Sequence, residues 1–188
     1  MSEFKIKTLE VVGFASAVQA LRLPFGKECR SEVFNKHYAD GQSEPREVFC
    51  QSSVFLDSKD LHLMSVLIKR GDEHAKVIRG IMAYAEIDAP RFWWQEMDTY
   101  RIGTDRLSSE STMHIQGRGL STEELVKMKS ELTEGTMQKR VQVFSYQCLR
   151  RIYVQRKNHR LPHWQEFCKW VESLPLAKEL ILIGLEDE

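Results

Sequence analysis

Asp88-Ala-Pro-Arg-Phe-Trp-Trp-Gln-Glu-Met-Asp-Thr-Tyr-Arg-Ile-Gly-Thr-Asp-Arg-Leu-Ser-Ser-Glu-Ser-Thr-Met-His114 is the stretch that decides how this chain is read. Its opening, Pro90-Arg-Phe-Trp-Trp94, is an aromatic helix start that asks for burial. Arg91, Gln95 and Asp98 or Thr99 recur at helical spacing and put polar groups on a common side. The helix is expected to stop near Gly103, before a loop rich in hydroxyls and charge. Asp88 is its expected N-cap, with Pro90 in the first turn. Half of such a helix belongs in a core. The other half carries groups that bind anions and exchange hydrogen bonds, which suits the wall of a ligand pocket. An amphipathic helix with a solvated polar face fits the same spacing.

Upstream, residues 80–88 alternate, with Ile81, Ala83, Ala85 and Ile87 on one face, and read as a strand. Residues 5–14 alternate in the same way. A short helix over 15–21 stops at Pro24, and the polar stretch 26–45, with Gly41 and Pro45, reads as a long loop. Residues 47–56 read as a further strand. Asp57 or Ser58 caps a helix through Leu61, Met64, Leu67 and Ile68 that ends at Gly71. Downstream, Ser121-Thr-Glu-Glu124 is a capping box ahead of Leu125, Met128 and Leu132. The spacing of Val141, Phe144, Cys148 and Ile152 predicts a helix over 138–157. A last helix starts at Pro162 and buries Trp164, Phe167, Cys168, Val171 and Leu174. Mixed elements with a helical C-terminal half predict an α+β fold. It is one domain over 1–188, with an antiparallel or mixed sheet packed against helices.

Lys plus Arg and Asp plus Glu number 27 each. Zero net charge gives no general attraction to nucleic acid or to an acidic membrane. Residues 1–8 are charged and no apolar core follows, so no secretory signal is expected. No apolar run reaches membrane-spanning length. The four cysteines are far apart and form no C-x-x-C pair, so neither a zinc ribbon nor a redox motif is indicated. Cys148 and Cys168 lie on apolar stripes and read as buried thiols. A reducing cytoplasm fits this usage. His159 and His163 are separated by Pro162, and no metal site is expected. No G-x-S-x-G, G-x-G-x-x-G or G-x-x-x-x-G-K-[ST] is present, so a hydrolase elbow and a Rossmann or P-loop site are not indicated.

The segment from Ala85 to His114 resembles the flavin-dependent thymidylate synthases, most closely a divergent, often phage-encoded branch. Ala85-Glu-Ile-Asp-Ala-Pro-Arg91 is similar to the family's strand, turn and Arg. Gln95 or Glu96 sits near the family's helical Gln. Thr99-Tyr-Arg101-Ile-Gly-Thr104 resembles the R-H-R stretch, with Arg101 on its last Arg. Glu110-Ser-Thr112-Met-His114 resembles E-x-S-x-R, with Thr for Ser and His for Arg. Arg151-Ile-Tyr-Val-Gln-Arg156 is similar to the late N-F-L-x-L-R stretch, with Arg in place of Asn. The chain departs from the family at Thr99 and Tyr100, which replace the first Arg and the His of R-H-R. About three extra residues separate Arg101 from Glu110, and they include Arg106.

The resemblance implies a homotetramer with sites between subunits that hold FAD, dUMP and a folate. The implied reaction is reductive methylation of dUMP. Methylenetetrahydrofolate supplies the carbon, reduced FAD the hydride, and NADPH reduces the flavin. No protein nucleophile is required, and no catalytic residue is assigned. Arg101, Glu110, Thr112, His114, Arg151 and Arg156 are the implied contacts to the nucleotide. Arg91, Gln95, Tyr100 and Arg106 would line the flavin side. Two other readings stay open. One is a relative that binds a pyrimidine nucleotide without catalysis. The other is a nucleic-acid module that uses the basic stretch 139–160 with Tyr146 and Tyr153 as stacking groups, which zero net charge disfavours.

Overall fold

Alternating small and branched side chains make β2 (Met82–Pro90) the centre of a sheet. Ala83, Ala85, Ile87 and Ala89 are all fully buried on one of its faces. In the computed structural model, which describes residues 3–26 and 56–185, β1 (Lys5–Val12) pairs with one edge of β2. β4 (Met137–Ser145) pairs with the other edge, and β3 (Thr104–Ser109) closes the far side of β4. The order is β1-β2-β4-β3, and every pairing is antiparallel. This is the α+β fold with a helical C-terminal part that the sequence predicts.

The buried face of the sheet is covered by helices. α1 (Phe14–Arg22) follows β1, and α2 (Ser58–Lys69) is capped by Asp57, whose carboxylate accepts the Lys59 N–H at 2.8 Å. Arg22 ties the two helices together through an ion pair with buried Asp60. α3 (Arg91–Met97) springs directly from β2. α6 (Tyr146–Arg156), α7 (Pro162–Glu172) and the short α8 (Ala177–Leu180) complete the layer. Phe167 and Trp170 of α7 lie 5.7 and 5.8 Å from Phe144 of β4, ring to ring. Trp170 also donates to the Thr8 hydroxyl of β1 at 2.9 Å. Trp93 stacks between Trp94 and Trp164 at 4.9 and 4.8 Å. Fully burying each large side chain of this kind contributes about 1.5–3 kcal/mol, so the aromatic start of α3 is a main anchor of the core.

Several expectations change. The helix read over 138–157 is a strand followed by a helix: residues 137–145 are β4, and α6 begins only at Tyr146. Phe144, Cys148 and Ile152 mimic a helical stripe because one strand residue and one helix face point into the same core. Asp88 does not cap α3. It stays in β2 opposite Lys5, and Pro90 takes the N-cap position. α3 ends at Met97, six residues before Gly103, and the hydroxyl-rich loop is the exposed edge strand β3. The capping box at Ser121 forms as read, with α5 (Thr122–Ser130) after it, yet no residue of α5 is buried. Most of the long loop and further strand read over 26–56 lies outside the described residues, as do Cys29 and Cys50. No described helix is long and apolar enough to cross a membrane.

Candidate functional site

β4 carries an unusual row on the sheet's buried face. Gln138, Arg140 and Gln142 stand opposite Ala89, Ile87 and Ala85 of β2. Directly paired residues share a face, so three polar side chains point where apolar ones normally sit. Arg140 is 8% exposed and Gln142 4%. A buried cation must be compensated, and α3 supplies the compensation. Asp98 accepts from Arg140 Nη1 at 2.8 Å, and the guanidinium lies 4.3 Å over the Trp94 ring. Gln138 Oε1 accepts from Arg140 Nε at 3.1 Å. Burial pulls the Arg140 pKa down, and Asp98 opposes that shift.

Between α3 and β4 this row opens into a cleft of about 210 Å³. Arg91, Gln95, Thr112, Lys129, Gln138 and Arg140 line it. The Arg91 and Phe92 amides donate to the carbonyls of Thr136 and Glu134, which zips the start of α3 to the approach to β4. Gln95 donates to Glu134 at 2.7 Å and Trp94 to the Gln138 carbonyl at 2.8 Å. Thr112 opens the short α4 (Thr112–Ile115). Three cations, two carboxamides and the hydroxyls of Thr112 and Thr136 converge without an acid in the lining, which is a donor set suited to a phosphate. The volume is below the roughly 300–1,000 Å³ of pockets that enclose a drug-sized ligand. The donors fit the anionic end of a ligand larger than the cleft itself.

Three residues of the sequence reading, Arg91, Gln95 and Thr112, therefore come together. Glu110 lies beside them: its carbonyl accepts from Gln138 Nε2 at 3.1 Å and its carboxylate from the Lys139 N–H at 3.1 Å. Arg101, Arg106 and His114 are exposed, in the turn before β3, on β3 and in α4. Arg106 faces Gln142 across the strand pair. Arg151 sits on α6 with a buried Nε that has no hydrogen-bond partner among the described residues.

Arg156 is placed differently from its implied role. Its Nη1 pairs with Glu96 at 2.9 Å, its Nε donates to the Tyr100 hydroxyl at 2.8 Å, and it stacks 4.4 Å from the Trp164 ring. Tyr100 in turn donates to Gln155 at 3.0 Å. Both residues form an internal brace between α3, α6 and α7. Lys129, Gln138 and Arg140 are cleft residues that sequence reasoning missed as site members. For Gln138 and Arg140 the signal was period-two polarity at 138, 140 and 142, legible only once β4 is read as a strand; Lys129, on α5, carried no such signal.

The basic stretch 139–160 is not one cationic face. Lys139 pairs with Glu86, Arg140 with Asp98 and Arg156 with Glu96. Arg150 donates to the carbonyls of Ile181 and Ile183. Tyr146 is fully buried, its hydroxyl bonded to the Pro175 carbonyl, and Tyr153 is bonded to Glu172. This organisation spends four cations of the stretch, Lys139, Arg140, Arg150 and Arg156, on contacts within the chain. A larger groove, about 560 Å³ against Ala17, Leu21, Leu63 and Leu67, is almost wholly apolar and offers a phosphate no comparable donor set.

No protein-family model and no curated protein sequence matches the chain. Solved structures do. The arrangement of sheet and helices is one shared with enzymes that methylate uridine nucleotides. It is similar to thymidylate synthase X (ThyX) from Helicobacter pylori with FAD and dUMP, with a TM-score of 0.64 and 15% identity over 98% of both chains. A second structure of that flavin-dependent enzyme, complexed with FAD and dUMP, gives a TM-score of 0.63 at 15% identity, covering 97% of this chain and 98% of that one. The UMP/dUMP methylase PolB from Streptomyces cacaoi, bound with 5-Br dUMP, gives 0.58 at 10% identity, covering 96% and 95%. The chain has the ThyX-like fold. Fold alone does not carry function, which rests on the site.

Proposed function

We propose that the chain binds a pyrimidine nucleotide of the dUMP type in the α3–β4 cleft and acts as a flavin-dependent thymidylate synthase-like enzyme. The observation that carries this reading is the cleft: Arg91, Lys129 and Arg140 converge with Gln95, Gln138 and Thr112, on a fold whose solved relatives are dUMP methylases. Thr112 and Glu110 form one rim, and Arg101, exposed in the turn before β3, and His114, exposed in α4, would contact the nucleotide as the resemblance implies. Arg91 and Gln95 would hold an anionic group of the flavin or the substrate, with Arg106 on the adjoining edge strand. FAD, when bound and reduced, supplies the hydride, and the chain's own residues bind, orient and screen the reactants. Methylenetetrahydrofolate and NADPH are the co-substrates of this reading.

The test is incubation of the purified protein with dUMP, methylenetetrahydrofolate, NADPH and FAD, followed by chromatography for dTMP. Formation of dTMP is expected. A specific observation supports a second reading, a nucleotide binder without catalysis. Thr99 and Tyr100 replace two cations, and their hydroxyls are spent internally, on the Glu96 carbonyl and on Gln155. Calorimetric binding of dUMP with no dTMP formed would select that reading. Absence of both would remove the enzyme and the binder together.

A further inference from the structure

The cleft's most constrained cation is Arg140, and its constraints leave part of it unused. A guanidinium has five N–H donors in a planar fork. Nε is spent on Gln138 and one hydrogen of Nη1 on Asp98. The remaining edge, Nη2 with the second Nη1 hydrogen, has no protein acceptor among the described residues. None of the Arg140 nitrogens is among the buried polar atoms left without a partner, although the side chain is 92% withdrawn from solvent by its 8% exposure. The unused edge therefore has an opening, and the cleft is the opening that Arg140 lines.

The local charge balance sharpens the chemistry. Arg91, Lys129 and Arg140 carry three positive charges into the cleft; among the described residues Asp98 is the acid bonded to one of these cations, while Glu134 is bonded to Gln95 and Glu110 stands beside Gln138. Asp98 is half-exposed, so it offsets Arg140 incompletely. Arg106 faces the same group from β3 and adds repulsion. A carboxylate would balance one of these charges. A phosphomonoester, carrying about −1.5 to −2 near neutral pH, balances two.

We propose that Arg140, held rigid by Asp98, Gln138 and the Trp94 ring, is the anchor for a phosphomonoester dianion, with Arg91 and Lys129 closing on it from α3 and α5. This rests on the nucleotide reading and assigns the phosphate end of that ligand. Lysine cannot replace arginine here, because a point charge reproduces neither the flat stack on Trp94 nor the paired N–H edge.

The experiment titrates dUMP, deoxyuridine and inorganic phosphate into the full chain by calorimetry and by tryptophan emission. Wild type is compared with Arg140→Lys, Asp98→Asn and Trp94→Phe, each checked for native circular dichroism. The wild type is expected to prefer dUMP over deoxyuridine by about tenfold or more, and Arg140→Lys to lose most of that preference while still binding deoxyuridine. Inorganic phosphate is expected to shift the emission of wild type and not that of Trp94→Phe. Asp98→Asn, which frees the fork, is expected to weaken dUMP and leave deoxyuridine unchanged. A folded Arg140→Lys that keeps the full preference overturns the anchor and leaves the nucleotide reading standing. Phosphate binding that shifts wild-type emission while dUMP does not bind keeps the anchor and ends the pyrimidine reading. If Arg140→Lys does not fold, wild-type emission unmoved by saturating phosphate overturns the anchor by itself.

Discussion

Glu96 shows how a single carboxylate organises this region. Its Oε2 accepts from Arg156 Nη1 at 2.9 Å and from the Trp164 indole at 2.8 Å, with His159 Nε2 at 3.7 Å. The Leu161 N–H donates to His159 Nδ1, which assigns the neutral ring's proton to Nε2, facing Glu96. Trp164 has no exposure and Arg156 only 17%, so neither partner can turn to water. Glu96→Ala leaves an indole N–H unsatisfied and a mostly buried guanidinium without its counter-ion. The expected loss is about 2–4 kcal/mol, read as a lower midpoint in urea. Glu96→Gln still accepts from Trp164 and should lose less. Equal midpoints for wild type and Glu96→Ala would show that the brace contributes nothing. The thiols are passive by comparison: burial pushes Cys148 up to about 11 and Cys168 up to about 12, in keeping with their reading as core residues.

At the scale of elements, the legible parts were those with one dominant signal. Ala83, Ala85 and Ile87 alternate cleanly, and β2 was read to within two residues at either end. The Ser121–Glu124 capping box is a local contact set written in four residues, and it forms as read. β4 was not legible because three of its four inward positions are Gln138, Arg140 and Gln142, with only Phe144 apolar, so the usual mark of a buried strand face is missing. The same substitution of polar for apolar residues builds the cleft. The element that was misread and the missed site members Gln138 and Arg140 therefore have one cause. Nor was Arg156's brace visible, since its partner Glu96 is 60 positions away. The β1-to-α1 corner depends on a residue whose role only the backbone reveals. Gly13 has φ +96°, and a Cβ there would lie 2.0 Å from the Gly80 carbonyl oxygen. Gly13→Ala must both adopt a left-handed conformation and push the chain before β2 away. A loss of roughly 2–4 kcal/mol is expected. Denaturant unfolding checks it, and a midpoint at the wild-type value would mean the corner relaxes freely.

For the whole molecule, the aromatic opening of α3 is not what needs a partner. Trp93 and Trp94 are fully buried within the chain. Exposed apolar residues lie elsewhere: Leu23 and Phe25 after α1, and, between 102 and 126, Ile102, Leu107, Met113, Ile115, Leu120 and Val126, each at least 40% exposed. That segment holds β3, α4 and the start of α5, and Thr112 and Lys129 at the cleft belong to it or adjoin it. Exposed apolar residues gathered in one segment in this number make it a candidate interaction surface. The resemblance implies a homotetramer with sites between subunits, and the prediction is that neighbouring copies cover these residues and the open side of the small cleft. Light scattering at micromolar concentration should give about four times the 22.0 kDa chain mass; a stable monomer would end the assembly and its shared sites. The flavin prediction belongs to the same scale, because it depends on what all the walls supply. The Thr99 hydroxyl is bonded to the Glu96 carbonyl and Tyr100 to Gln155 and Arg156, so neither gives a flavin phosphate the charge that Arg and His would. Two exposed charge contacts at about 1 kcal/mol each lower affinity by roughly tenfold to thirtyfold. The protein should purify pale and then quench added FAD fluorescence on titration, and a Thr99→Arg, Tyr100→His double variant should bind more tightly. A fully yellow protein as isolated would contradict the weakening, and no quenching by either form would leave the nucleotide binder as the surviving reading.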